Sequence, residues 1–310
     1  MLKLDQIIRS DLASDVFLIN QISEYIINAG GKRIRPLITI LCGRIAGYTE
    51  GDLLHKMAAM IEYIHTATLL HDDVVDDSGL RRGRKTSNAV FGNAASVLVG
   101  DFIYTRSFQL MIQTNSLRLL EIMATITNKI SEGEVLQLLN IGRNNLSEAE
   151  YFAVIEHKTA ILFEAAARVA AIITQSSIST ETALASYAVN LGTAFQIIDD
   201  ILDYVGDSKH MGKNVGDDLL EGKVTLPLIY SLNNGNKTES EIIKKAIENP
   251  NQAQVETIVC ILKNNGAIDY CINLAHTYTQ KAIAQLDNFK PSIYKEAMIN
   301  LANQALKRLG

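Results

Sequence analysis

Only four prolines punctuate this chain of 310 residues, and all four, Pro36, Pro227, Pro250 and Pro291, fall near the starts or ends of apolar-periodic segments. A proline inside a helix removes a hydrogen bond and clashes with the preceding turn, whereas one in the first turn is tolerated. Over most of the rest, Ile, Leu, Ala and Met recur at three- and four-residue spacing, and alternating strand-like runs are scarce. The spacing predicts helices over 3–28, 36–46, 51–77, 88–113, 117–141, 147–174, 179–205 and 219–233, then shorter ones over 239–248, 251–264, 265–287 and 291–308. The expected fold class is all-α. With 47% hydrophobic residues, a sizeable core can form, and no low-complexity linker divides the chain. One helical domain over 1–310 is the expectation.

Composition excludes several functions. A net charge of −5 gives no basic field for nucleic acid. Three widely spaced cysteines, Cys42, Cys260 and Cys271, argue against a disulfide framework or a zinc site. The first residues begin an amphipathic pattern rather than a signal peptide. The most apolar stretch, Ala160 to Thr174, is broken by Glu164 and Arg168, and is too short to span a bilayer. A cytoplasmic protein with reduced thiols is expected.

Two acidic clusters stand out against this background. Asp72-Asp73-Val74-Val75-Asp76 and Asp199-Asp200-Ile201-Leu202-Asp203 share a D-D-x-x-D spelling, and each runs into a glycine, Gly79 or Gly206. Offsets of three and four return to one helix face, so each cluster gathers its first and last carboxylates. Both fall in a predicted last helical turn, where the macrodipole disfavours acids by about 0.3–1 kcal/mol each. Such clusters call for a counter-charge, and a hard divalent cation, Mg2+, fits all-oxygen donors.

Basic clusters accompany the acids. Gly30-Gly31-Lys32-Arg33-Ile34-Arg35-Pro36 puts three cations in a loop whose two glycines permit close backbone approach. Arg81-Arg82-Gly83-Arg84-Lys85 follows the first acidic cluster, Lys213 and Lys223 follow the second, and Lys158-Thr159 lies within a predicted helix. Cations of this kind suit phosphate oxygens, arginine through two parallel bonds. Neither a G-x-x-x-x-G-K-S/T loop nor a G-x-G-x-x-G turn after a strand is present, which argues against nucleotide chemistry. Metal, diphosphate-sized basic sites and a helical frame point to isoprenoid chemistry.

The stretches GGKRIRP (30–36), HTATLLHDDVVDDSGLRRGR (65–84), FGNAASVLVGDFIYTRSFQLM (91–111), GEVLQLL (133–139), GTAFQIIDDILDY (192–204) and GKNVGDDLLEGKVTLPLI (212–229) resemble the trans-isoprenyl diphosphate synthases, most closely the bacterial octaprenyl branch. The resemblance covers nearly the whole chain. It implies an isoprenoid synthase-type helical bundle around a deep central cavity, with the two acidic helices facing each other across its mouth. It implies that Asp72 and Asp76 bind Mg2+ on an allylic diphosphate, that Asp199 adds a further Mg2+ contact, and that Asp73, Asp200 and Asp203 belong to the same catalytic clusters. Two or three Mg2+ ions per site follow. Arg81, Lys158, Thr159, Gln196, Lys213 and Lys223 are implied to hold the allylic diphosphate. Lys32, Arg35, His65 and Arg82 are implied to hold isopentenyl diphosphate. His65 is seven residues before Asp72, two turns along the same face.

The implied reaction is a head-to-tail condensation of isopentenyl diphosphate onto an allylic diphosphate such as farnesyl diphosphate. The expected product is an all-trans octaprenyl (C40) chain for a respiratory quinone. In the resembling family, bulky aromatics just before the first acidic motif close the cavity early. Here those positions are the small Ala67 and Thr68, so a deep cavity is expected. Met123 lies 14 residues before Gln137 on one predicted helix, about 21 Å along its axis, and is a candidate floor. A homodimer through the Gly92, Ala94, Ala95 and Ser96 region is implied, as is transient membrane contact for release of the product.

Other readings remain beside these. A synthase of geranylgeranyl, heptaprenyl or solanesyl length would share the motifs, and a noncatalytic subunit of a heteromeric synthase would usually lose the aspartates. A class I terpene cyclase would typically carry a different second metal motif. His71 reads as a packing residue, Phe195 equally as core or lid, and Lys307 and Arg308 as solvated.

Overall fold

The computed structural model describes residues 1–81, 83–206, 215–250 and 253–309. The described residues are mostly helical. The exception in hydrogen bonding is a two-stranded antiparallel hairpin, β1 (Leu80–Arg81) with β2 (Arg84–Lys85). Contacts divide the chain into two compact units. The first comprises 1–126, 162–188 and 288–298, and the second 127–161, 189–287 and 299–310.

The first unit is built on α1 (Leu2–Asp11), α2 (Phe17–Asn28), α3 (Ile34–Ile45), α4 (Leu53–Val75), α5 (Ser87–Phe91) and α6 (Asn93–Ile112). Helix α4 is its centre, packed against α1, α3, α5 and α6. Thirteen of its 23 residues are buried, including Met57, Met60, Ile61, Ile64 and Leu70. Burying an aliphatic side chain of this size is worth about 1.5–3 kcal/mol. Small residues set the close packing. A Cβ on Gly100 of α6 would fall among the ring atoms of His71, 2.7 Å from Cδ2.

The predicted helix over 3–28 is two helices, because Leu12 caps α1 and residues 12–16 turn the chain before Phe17. The predicted 88–113 segment breaks at Gly92, whose φ of 86° ends α5 and opens α6. In the basic loop, Gly30 takes φ 78° with nothing within 4 Å of a would-be Cβ, so its role is conformational rather than close approach.

Helix α7 (Leu117–Asn140) contributes to both units, as does α10 (Ile178–Val205). The predicted 147–174 helix is three pieces: α8 (Glu148–Ile155), a π-helical turn (Glu156–Ala160) and α9 (Ile161–Ile173). Helix α8 starts with a capping box between Ser147 and Glu150. Hydrogen bonds to Ser147 and Arg143 hold the Glu150 carboxyl down at about 2. The predicted 219–233 helix is a four-residue turn, Asp217–Leu220, followed by Leu226–Asn234 with Pro227 in its first turn. Among the described residues no helix is long and apolar enough to cross a membrane. Cys42, Cys260 and Cys271 are free thiols.

Glu62 is buried in α4, and Arg33 at the head of α3 pairs with it. Removing one partner of a buried pair strands the other charge. Arg33→Ala is expected to lower unfolding free energy by about 3 kcal/mol in urea titrations, and Arg33→Leu/Glu62→Leu to recover most of the loss.

Candidate active site

The first acidic cluster ends α4. Asp72 and Asp73 lie in its last turn, and Asp76 caps it with its N–H donating to the Asp72 carbonyl at 2.8 Å. The three aspartates are not equivalent. Asp73 is buried, and its Oδ1 accepts from Arg81 Nε at 2.9 Å and pairs with Arg81 Nη2 at 2.7 Å. Its carbonyl accepts from Ser78 N and Asn88 Nδ2. Asp73 therefore ties the hairpin that carries Arg81 to the helix. Asp72 and Asp76 remain half-exposed.

His65 lies on α4, and Arg35 Nη1 reaches its Nε2 at 3.2 Å. The Arg35 guanidinium sits 4.6 Å from the ring centroid of the buried Phe163. Lys32 is exposed, whereas Arg33 turns into Glu62. Ala67 is buried, Thr68 donates to the His65 carbonyl at 2.9 Å, and Met123 is fully buried. His71 Nε2 meets the Val97 carbonyl at 3.2 Å and the Asp101 carboxylate at 3.3 Å, which fits its reading as a packing residue. Arg82 lies outside the described residues.

The second unit has its own cluster near the end of α10. Asp200 and Asp203 are buried, while Asp199 is half-exposed. Asp203 holds the chain beyond α10: its carbonyl accepts from Gly216 N at 2.8 Å and its Oδ2 from Asp218 N at 3.3 Å. Asp200 accepts from Tyr151 Oη at 2.6 Å and from Gln196 Nε2 at 2.8 Å. Gln196 Oε1 accepts in turn from Thr159 Oγ1 at 2.8 Å. Burial, and then the negative charge of Asp218, push the Asp200 carboxyl up to about 8, while the bonds from Tyr151 and Gln196 pull the other way.

Lys158 and Thr159 come from the π-helical turn, a deformation often found at functional sites. Lys158 Nζ donates to Glu134 Oε2 and Gln137 Oε1, both at 2.6 Å. Gly133 lets α7 approach this turn, since a Cβ there would lie 2.8 Å from His157 Cβ and 3.0 Å from the Lys158 nitrogen. Lys223 Nζ pairs with Glu221 at 2.6 Å, and the preceding Gly222 carbonyl accepts from Gly142 N at 2.9 Å. Lys213 lies outside the described residues.

Arg308 is not solvated as expected. Its Nη2 pairs with Asp199 Oδ1 at 2.6 Å, and its guanidinium lies 4.6 Å from the Phe195 ring centroid. Phe195 is thus neither plain core nor open lid but a platform for Arg308. The residues that sequence reasoning missed, Arg308, Tyr151, Glu134 and Phe163, lie far along the chain from the groups they hold or carry no motif of their own. None of these partners stands at a helical spacing from the group it meets.

Among the described residues, no three His, Cys, Asp or Glu side chains converge as a ready-made metal cage. Mg2+ keeps waters and binds through one or two carboxylates plus substrate phosphates. The half-exposed Asp72, Asp76 and Asp199 are hard oxygen donors of that kind.

Residues 16–263 match the family described as polyprenyl synthetase. The chain belongs to that family. It is 49% identical over 309 residues to the octaprenyl diphosphate synthase of Haemophilus influenzae, covering 99% of this chain and 94% of that enzyme. It is 43% identical to the all-trans-nonaprenyl-diphosphate synthase (geranyl-diphosphate specific) of Rhodobacter capsulatus, covering 99% and 94%. The crystal structure of a Caulobacter crescentus polyprenyl synthase complexed with calcium and isoprenyl diphosphate superposes with a TM-score of 0.95 at 43% identity, covering 100% of this chain and 95% of that one. The all-α expectation thus holds, and the fold is that of the polyprenyl synthases.

The Asp200 carboxyl sets a pH dependence in metal-free protein. Folding raises its pKa from 3.8 to about 8, so between those values the folded state holds a proton that the unfolded chain has released. Stability contributed by that proton is full below about pH 4 and lost as pH rises through about 8, at up to about 1.4 kcal/mol per pH unit. In chelator-treated protein the urea midpoint is expected to fall between pH 5 and pH 8. Asp200→Asn should flatten that slope, and an unchanged slope would remove Asp200 as its source.

Proposed function

We propose that the chain is a trans-prenyltransferase that condenses isopentenyl diphosphate head-to-tail onto an allylic diphosphate, with farnesyl diphosphate as starter and octaprenyl diphosphate (C40) as product. The observation that carries this reading is the division of labour in both acidic clusters. Asp73 and Asp200 are buried and held by Arg81, Tyr151 and Gln196, while Asp72, Asp76 and Asp199 are half-exposed. The 49% identical Haemophilus influenzae enzyme supports the C40 length. The nonaprenyl name of the 43% identical relative makes a neighbouring length the alternative.

In this reading Asp72, Asp76 and Asp199 hold two or three Mg2+ ions. When bound, they supply charge stabilisation for the departing diphosphate. Lys158, Thr159, Gln196, Arg81, Lys213 and Lys223 hold the allylic diphosphate, and Lys32, Arg35, His65 and Arg82 hold isopentenyl diphosphate. The allylic carbon–oxygen bond breaks, the isopentenyl double bond attacks the resulting cationic carbon, and loss of a proton restores an alkene. Fixed cations stabilise the charge on the leaving group because they need not reorganise as it develops. Asp73 acts by holding the hairpin that carries Arg81, and Asp203 by holding Gly216 and Asp218.

The reading takes residues 1–310 as one catalytic domain. Helix α6 leaves Leu98 at 66% and Ile112 at 63% exposure, which supports a homodimer through this helix. A cytoplasmic location, and transient membrane contact as a C40 chain leaves, complete the reading.

Purified protein incubated with Mg2+, farnesyl diphosphate and labelled isopentenyl diphosphate is expected to give a dominant C40 alcohol after dephosphorylation. Another dominant length would keep the reaction and change the product. No elongation by folded protein would sink the autonomous enzyme and favour a subunit of a heteromeric synthase.

Each isoprene unit buried is worth about 4 kcal/mol at about 0.8 per carbon, so growth continues until a wall intervenes. Ala67 and Thr68 leave room near the start, and Met123 is the proposed floor. Met123→Ala is expected to shift the product beyond the parent length by one or more units, read by mass spectrometry. Its stability cost is about 2–5 kcal/mol. An unchanged product would remove Met123 from the floor.

A further inference from the structure

Arg35 occupies the first turn of α3, a helix with no acidic residue in that turn. A cation there faces the positive end of the helix dipole. The neighbouring arginine, Arg33, is paired with Glu62. What receives the Arg35 guanidinium is an aromatic face: Phe163, fully buried in α9, lies with its ring centroid 4.6 Å from Arg35 Cζ. The guanidinium edge meets His65 Nε2 at 3.2 Å. A guanidinium lying on a ring spends its face there and keeps its N–H donors in the plane, the geometry that matches phosphate oxygens two at a time. Phe163 has no polar atom and carries no motif. Its ring lies against the Arg35 guanidinium.

We propose that Phe163 is a positioning residue for the second diphosphate: its ring fixes the Arg35 guanidinium, and through it the imidazole of His65, in the orientation that receives isopentenyl diphosphate. This inference rests on the reading that Arg35 and His65 bind that substrate. Phe163 touches neither substrate nor reacting atoms in this role, and the effect passes through Arg35. Loss of the ring face therefore weakens one substrate selectively, whereas a purely structural defect would lower activity without choosing between substrates.

The test uses the full-length protein with Mg2+. Phe163→Leu, and Phe163→Met as a second aliphatic variant should the first fold poorly, are compared with Arg35→Gln and with the double variant. The expected result is a KM for isopentenyl diphosphate raised about two- to tenfold, the range of a desolvated cation–π contact. The KM for farnesyl diphosphate and kcat should stay within about twofold. In the Arg35→Gln background the Phe163 substitution is expected to add nothing, the mark of two residues acting as one. Calorimetric titration with isopentenyl diphosphate alone should show the same order of affinities. Equal changes in both KM values, or full additivity with Arg35→Gln, would overturn the inference while leaving the site reading in place. An Arg35→Gln variant with unchanged KM for isopentenyl diphosphate would overturn the site reading, and the inference with it.

Discussion

Carboxylates gathered at the negative end of a helix must be neutralised before the helix can pack, and much of the candidate site follows from how this is done. In the first unit the buried Asp73 takes a guanidinium from Arg81 in the hairpin just beyond α4. In the second, Asp200 takes hydroxyl and amide donors from Tyr151 and Gln196, and burial favours its protonated form. Neither solution leaves an uncompensated charge in a low-dielectric interior, which would cost several kcal/mol. Each solution also fixes a segment. Arg81 anchors the hairpin, and Asp203 anchors the chain that leads to Asp217–Leu220. The aspartates closest in sequence to the exposed ones thus serve as structural posts for them.

The cations obey the same constraint from the other side. Arg33 is held by Glu62, Lys158 by Glu134 and Gln137, Lys223 by Glu221, and Arg35 lies on the Phe163 ring. A long flexible side chain held in this way has already lost much of its rotamer freedom, so less is lost when it meets an anion. The π-helical turn at Glu156–Ala160 belongs to this economy. It places Lys158 and Thr159 against different partners, Lys158 on α7 and Thr159 on Gln196 of α10. Gly133 permits the approach that makes the first of these possible.

The helical class, the ends of long helices and the two acidic clusters were legible because each leaves a periodic or spelled signal. The breaks were not. A π-helical turn displaces the apolar spacing by one residue, well inside the tolerance of a three- and four-residue pattern, so 147–174 reads as continuous. The turn at residues 12–16 includes the apolar Leu12 and Val16, which mask the interruption between α1 and α2. Within the site, sequence could name residue types suited to metal or phosphate, but not which carboxylate of a trio is buried. Asp72 and Asp73 are neighbours with identical chemistry, and the hairpin that returns Arg81 to Asp73 tells them apart.

Arg308 shows how far such separation can go. A basic residue at the end of the last long helix gives every reason to expect solvation, yet its guanidinium lies on Phe195 and pairs with Asp199, four residues further along the same face of α10. At 25% and 38% exposure, the pair is partly open to water, and a contact of this kind is worth about 0.2–1 kcal/mol. That biases the orientation of Asp199 and is too little to bar a divalent cation, whose attraction for a carboxylate is the stronger. The Phe195 face also means that a guanidinium leaving Asp199 still has a surface to rest on, so the carboxylate can change partners without the end of the chain losing all its local contacts. Asp199 is therefore biased toward Arg308 yet exchangeable, which fits the Mg2+ role proposed for it.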